Sequence, residues 1–220
     1  MSAKPFGLLV AGFDYSPVDE EEFNDWYDTE HVPERSRVPG FGRIERWIGA
    51  DNPKISIATY DLESPDVLRS EAYRKIGGAN LSPWSKRLTA KAKRICRFEA
   101  EQLPPGDRAA PEGAGGLLVV AMNVAPEAET EFNAWYDEEH VPGLSGVPGC
   151  LSARRYRITD ASSEGKQRYL ALYHLASAEI CASEAWQKAA VTDWTKRLRP
   201  HFRDALRLPL KRYRRDSRAA

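Results

Sequence analysis

The chain has 220 residues, and 32 Lys and Arg balance 32 Asp and Glu, so its formal net charge is zero. A chain with no surplus of positive charge lacks the electrostatic footprint of a nucleic-acid binder, and its one basic run, Lys211 to Arg215, reads as a solvated tail. Three cysteines, an odd number with no close pair, exclude a disulfide framework and a cysteine-based zinc site and fit a reducing compartment.

In chain order, the apolar run Phe6 to Phe13 comes first. It is too short to span a membrane and lacks the layout of a signal peptide, which points to a cytoplasmic protein with no membrane partner. It reads as a buried strand. Ser16-Pro17-Val18-Asp19 has the residues of a helix start. Phe23, Trp26, Tyr27, Glu30 and His31 then recur at the spacing of one helical face. The helix is expected to stop near His31, because Val32 precedes a proline. After Pro39-Gly40, residues 41–48 and 55–62 read as the strands of a hairpin. Ser64-Pro65 opens another helix that Gly77-Gly78 breaks, a further helical stretch covers 81–92, and 94–98 closes the series as a strand. The order is βαββαβ, a ferredoxin-like unit.

The whole pattern is then written a second time. Phe23-Asn24-Asp25-Trp26-Tyr27-Asp28-Thr29-Glu30-His31-Val32-Pro33 returns as Phe132-Asn133-Ala134-Trp135-Tyr136-Asp137-Glu138-Glu139-His140-Val141-Pro142, and both copies run on into Val-Pro-Gly. Gly7-Leu8-Leu9-Val10 falls on Gly116-Leu117-Leu118-Val119, and Trp84-Ser85-Lys86-Arg87-Leu88 on Trp194-Thr195-Lys196-Arg197-Leu198. Two copies at so long a period mean two like domains rather than a solenoid. We expect a first domain over 1–102, a Pro/Gly-rich linker over 103–115 and a second domain over 116–220.

The motif Asn-x-Trp-Tyr-Asp-x-Glu-His-Val-Pro followed by Val-Pro-Gly, inside a βαββαβ unit, resembles the dimeric α+β barrel superfamily and, within it, EthD-like proteins. That resemblance implies an α+β fold in which the two tandem units pack their sheets into one intramolecular barrel. Similar proteins include polyketide cyclases, lactone isomerases, cofactor-independent monooxygenases and haem-handling proteins, so the fold does not name the reaction.

His31 and His140 are two of only four histidines and hold equivalent places. An imidazole there serves either as a catalytic acid or base near neutral pH or as a structural group fixing the Val-Pro turn. Trp26, Tyr27, Trp135 and Tyr136 read as core or as pocket lining. Asn24, Asp28 and their repeats read as surface residues or as supports for the helix end. Alternation places Ala58 with Tyr60, and Ala171 with Tyr173, on the face expected to line the barrel interior. Arg46 and Arg155 correspond, and face either solvent or a substrate carboxylate, phenolate or enolate; His174 stands where the first copy has Asp61. The first half keeps Arg35 and Arg37 where the second has Leu144 and Gly146, and so is favoured as the functional one. No metal site is expected, since adjacent Glu and His on a helix point apart and no His-x-x-x-His pair exists.

The leading expectation is an enzyme without an organic cofactor. It would use His31 and His140 for proton transfer on an aromatic, polyketide-like or lactone substrate, by isomerisation, cyclisation, dehydration or oxygenation. The substrate-binding set is Trp26, Tyr27, Arg46, Tyr60, Trp135, Tyr136, Arg155, Tyr173 and His174. The alternative is a non-catalytic carrier of a hydrophobic ligand or of haem, and strand edges left over from the barrel would let chains associate as a homo-oligomer.

Overall fold

The computed structural model describes residues 6–105 and 109–215. In chain order the strands are β1 Gly7–Asp14, β2 Phe41–Gly49, β3 Ile55–Leu62, β4 Lys93–Leu103, β5 Gly116–Val124, β6 Cys150–Ser163, β7 Tyr169–Leu175 and β8 Phe202–Arg212. The α-helices are α1 Glu20–Trp26, α2 Val32–Ser36, α3 Glu71–Arg74, α4 Pro83–Lys91, α5 Glu129–Trp135, α6 Val141–Ser145, α7 Glu184–Ala190 and α8 Asp193–Leu198. The eight strands form one closed, antiparallel barrel in the order β1-β3-β2-β8-β5-β7-β6-β4. Each half therefore contributes four neighbouring strands, β4-β1-β3-β2 and β8-β5-β7-β6, and helices cover the outer face of each set.

The two seams between the halves differ in length. β4 pairs with β6 from Cys96↔Ser163 to Leu103↔Arg155, whereas the β2–β8 ladder spans Trp47↔Arg212 to Gly49↔Leu210. At the short seam the chain end adds its own contacts. The Tyr213 amide donates to the Arg46 carbonyl (3.0 Å), the Arg46 guanidinium lies 3.8 Å from the Tyr213 ring centroid, and Arg215 bridges to Asp25 and Asp28. The basic run is thus not a solvated tail over 211–215: it closes the barrel.

Strand alternation divides the core into three parts. One cluster draws Leu8, Trp47, Ile57, Phe98, Leu117, Tyr156, Leu172 and Leu210 from all eight strands and fills the barrel. The other two lie between sheet and helices, one around Phe23, Trp26 and Tyr60 and one around Phe132, Trp135 and Tyr173. Ala58-Tyr60 and Ala171-Tyr173 therefore face the helices, the reverse of the sequence expectation. Small alanines leave room under the broad Trp and Tyr rings of the helix face, and the aliphatic positions fill the barrel.

The motif helix also runs on past its expected end. A π-turn over Tyr27–His31 inserts after α1, with Val32 N–H bonding to Tyr27 O, and the helix resumes across Val32-Pro33 to Ser36. The second half repeats this at Tyr136–His140. A proline in a helix lacks its N–H and crowds the carbonyl four residues back, and the wider turn makes room for that ring. Among the described residues no helix is long and apolar enough to cross a membrane.

Candidate active site

Most side chains of the repeated motif have structural work. Arg46 on β2 binds Asp28 Oδ1 and Asn24 Oδ1, both at 2.7 Å, and Arg155 on β6 binds Asp137 Oδ1 at 2.7 Å and Asn133 Oδ1 at 2.5 Å. Each guanidinium also lies on the motif tyrosine ring, 4.3 Å from Tyr27 and 4.4 Å from Tyr136. Trp26 Nε1 donates to Ser85 and Trp135 Nε1 to Thr195. Glu30 accepts from Ser82, the N-cap of α4, and Glu139 from Thr192, the N-cap of α8. Arg46 and Arg155 are therefore neither solvent-facing nor free to select a substrate anion. Their carboxylate partners belong to the motif helix, and together they clamp that helix to its sheet.

Polar atoms beside the motif are left over in each half. His31 Nδ1, Tyr60 Oη and Arg46 Nε are buried without a hydrogen-bond partner in the first half, as is Tyr27 Oη, and His140 Nδ1, Tyr173 Oη and Arg155 Nε are so in the second. Within each half the two tyrosine hydroxyls lie near enough to affect each other's ionisation without forming a well-aligned hydrogen bond. The imidazole packs against the same rings, His31 at 4.4 Å from Trp26 and 5.2 Å from Tyr27, His140 at 4.0 Å from Trp135 and 5.3 Å from Tyr136. Native structures rarely orphan buried polar groups, and such groups concentrate where a ligand supplies the missing partner.

The electrostatics are uniform. Burial, reinforced by the Arg155 charge, lowers His140 to about 3. Burial together with Arg35 and Arg46 holds His31 well below the ordinary imidazole range. Burial raises Tyr136 to about 12 and lifts Tyr27, Tyr60 and Tyr173 as well. At neutral pH each cluster is thus a neutral imidazole beside two neutral phenols. It can accept one proton and donate two hydrogen bonds.

The halves differ around this shared core. In the first, Phe41 packs on Tyr60 (6.0 Å) and Tyr73 (5.7 Å), and buried Arg35 reaches the His31 carbonyl and Glu34; Arg37 is exposed. In the second, Leu144 replaces Arg35 and Cys150 replaces Phe41. A surface groove of about 390 Å³, lined by Pro105, Val141, Pro142, Ser145, Cys150, Leu151 and Ser152, runs beside the motif there.

His174 does not join either cluster. It is fully buried inside the barrel, its Nε2 3.2 Å from Glu45 Oε2, and Glu45 also accepts from Arg212 at 2.5 Å. Beside this pair Arg154 Nη1 donates to Asp61 Oδ1 at 2.8 Å. Burial pulls His174 down more than Glu45 lifts it. Burial pushes Glu45 up, yet His174 and Arg212 hold it below its usual range. The pair is therefore a neutral imidazole hydrogen-bonded to a carboxylate. Sequence reasoning missed Glu45, Arg154 and Asp61 as a group, although a signal existed. Glu45 and Arg154 occupy equivalent places in the repeat, as do Asp61 and His174, so each half reverses the polarity of the other.

The residues do not fit a haem. The imidazole faces are packed by Trp and Tyr rings, and the arginines that could hold propionates are committed to Asn and Asp. Among the described residues no cluster of three or more His, Cys, Asp or Glu side chains has the geometry of a metal site.

Residues 116–207 match a family described as a domain of unknown function, DUF4286. No functionally curated protein matches the sequence. Solved structures similar to this one include a monooxygenase candidate from Fusobacterium nucleatum, at 9% identity over 97% of this chain and 94% of that one, with a TM-score of 0.65. An anthrone oxidase-like protein aligns at 14% identity over 97% and 94%, with a TM-score of 0.66. A chlorite dismutase candidate aligns at 13% identity over 96% of both chains, with a TM-score of 0.61. At such identities the likeness establishes the architecture, an eight-stranded α+β barrel shared along nearly the whole chain.

Proposed function

We propose that the chain is an EthD-like small-molecule enzyme, built as a tandem repeat and working without an organic cofactor. A neutral histidine and two tyrosines at a helix–sheet interface would move a proton next to a substrate carbonyl. The observation that carries this reading is the recurrence of the same two unpartnered groups, imidazole Nδ1 and the hydroxyl of Tyr60 or Tyr173, in two halves whose other surroundings have changed. An aromatic ketone, polyketide-like or lactone substrate supplies what they lack. Its acidic C–H or O–H faces Nδ1, and its carbonyl oxygen accepts from the hydroxyls as negative charge develops on it. An enolate raises the pKa of an adjacent imidazole, so a histidine held neutral in the free protein gains basicity as the reaction proceeds. The oxidase-like and monooxygenase-like neighbours favour oxygenation of an electron-rich ring, with dioxygen as the oxidant. Grooves flank the motif in both halves, beside Cys150 in the second and beside Arg37 and Val38 in the first.

The test is turnover of an anthrone, a hydroxynaphthalene and an unsaturated lactone, with oxygen uptake and ultraviolet spectra as readouts. Tyr173→Phe deletes one hydroxyl from the second site and is expected to lower kcat about a hundredfold. Tyr60→Phe reports on the first site in the same way. Unchanged turnover in both variants would sink the proposal. Saturable binding without turnover, weakened by the same substitutions, would instead make the protein a ligand carrier.

A further inference from the structure

Inside the barrel a second set of buried polar atoms has no partner, and it is separate from the helix–sheet clusters. Arg154 is almost wholly enclosed, with its side chain 1% exposed, and only its Nη1 is used, on Asp61. Its Nε and Nη2 are both unpartnered. These two N–H groups form the side-on edge of a guanidinium, whose parallel donors match the two oxygens of a carboxylate. Ser152 Oγ and His174 Nδ1 are likewise buried and unpartnered. The strand register brings the four atoms together: Ser152 lies opposite His174 across β6 and β7, and Arg154 is two residues farther along the same face of β6. Because the Glu45 carboxylate fixes the imidazole proton on Nε2, Nδ1 offers a lone pair.

We infer that this end of the barrel binds a small hydroxycarboxylate. Its two carboxylate oxygens sit on the free edge of Arg154 with Ser152 Oγ donating alongside, and its hydroxyl donates to His174 Nδ1. A buried guanidinium with two idle donors is costly, and such an anion removes that cost. Glu45 is offset by Arg212, and Asp61 shares the charge of Arg154 with the anion from the opposite edge of the guanidinium, through Nη1. The groove between Pro105, Cys150 and Ser152 reaches this strand from the surface at Ser152. The backbone amide of Ala110 bonds to Asp61 Oδ2 (3.3 Å), which places Ala110 at the same end.

Lactate, acetate, acetamide, chloride and inorganic phosphate, compared at matched ionic strength, test this by calorimetry and by the 15N–1H signal of Arg154 Nε in the full-length protein. Lactate is expected to bind saturably and to move that signal, with acetate weaker and acetamide and chloride inert. Ser152→Ala, which removes one hydroxyl, is expected to weaken lactate about fivefold, and Arg154→Gln about a hundredfold or more. Tyr60→Phe and Tyr173→Phe are expected to leave this binding untouched, which separates it from the proposed reaction. Lactate no better than chloride, or an Arg154 Nε signal that ignores it, would overturn the inference and leave those donors to water. Phosphate binding in preference to lactate would overturn the carboxylate assignment.

Discussion

The histidines of the motif carry a pH signature. His140 sits near 3 in the folded chain, against about 6.5 when unfolded, so between those values the unfolded chain binds the extra proton. The stability contributed by its neutral form is complete above pH 6.5 and is lost as the pH falls toward 3, at up to about 1.4 kcal/mol per pH unit. Thermal melts from pH 4 to 7 should show a shallower slope in His140→Gln than in the wild type. Equal slopes would mean that the imidazole is not locked neutral. For the same reason kcat/KM should show no limb between pH 5 and 8 from His140. The importance of His31 and His140 was legible from their repetition. Their charge state was not, because helix-end position and burial push an imidazole in opposite directions, and only packing against Trp26 or Trp135 decides between them.

Each motif helix is fastened to its sheet by one arginine. Truncating Arg155 to Met would strand Asn133 and Asp137, and because Asp137 is partly exposed the loss is screened. We expect about 2–3 kcal/mol of destabilisation by urea unfolding, with unchanged secondary structure by circular dichroism. A loss under 0.5 kcal/mol would show that the clamp is incidental. The strand and helix order was legible because hydrophobic period changes cleanly between elements. Two features were not. Alternation along β3 and β7 separates two faces but does not say which one meets a helix, and the answer came from the volume of rings that Ala58 and Ala171 must accommodate. The motif helix was read as ending before Pro33, because the preference of a pre-proline residue gives no hint that a π-turn can carry the helix through it.

The polarity of the barrel interior belongs to the molecule as a whole. At equivalent positions the first half presents Glu45 and Asp61, and the second presents Arg154 and His174, which meet crosswise as Glu45 with His174 and Asp61 with Arg154. Giving the first half the residues of the second, by Glu45→Arg with Asp61→His, would set a guanidinium against an imidazole at both pairs and place the new arginine beside Arg212. It should cost more than about 3 kcal/mol. Adding Arg154→Glu with His174→Asp should recover most of that loss, as read by melting temperature and light scattering. Failure of the fourfold variant to recover would show that the charges are independent rather than matched. No single strand reveals this pairing, since it exists only when the two halves are laid on each other at their offset. Two halves alike in fold are thus a plug and a socket. A barrel made of two first halves would set carboxylate against carboxylate, and one made of two second halves would set guanidinium against imidazole. The matching of charges thus requires each barrel to combine one first half with one second half.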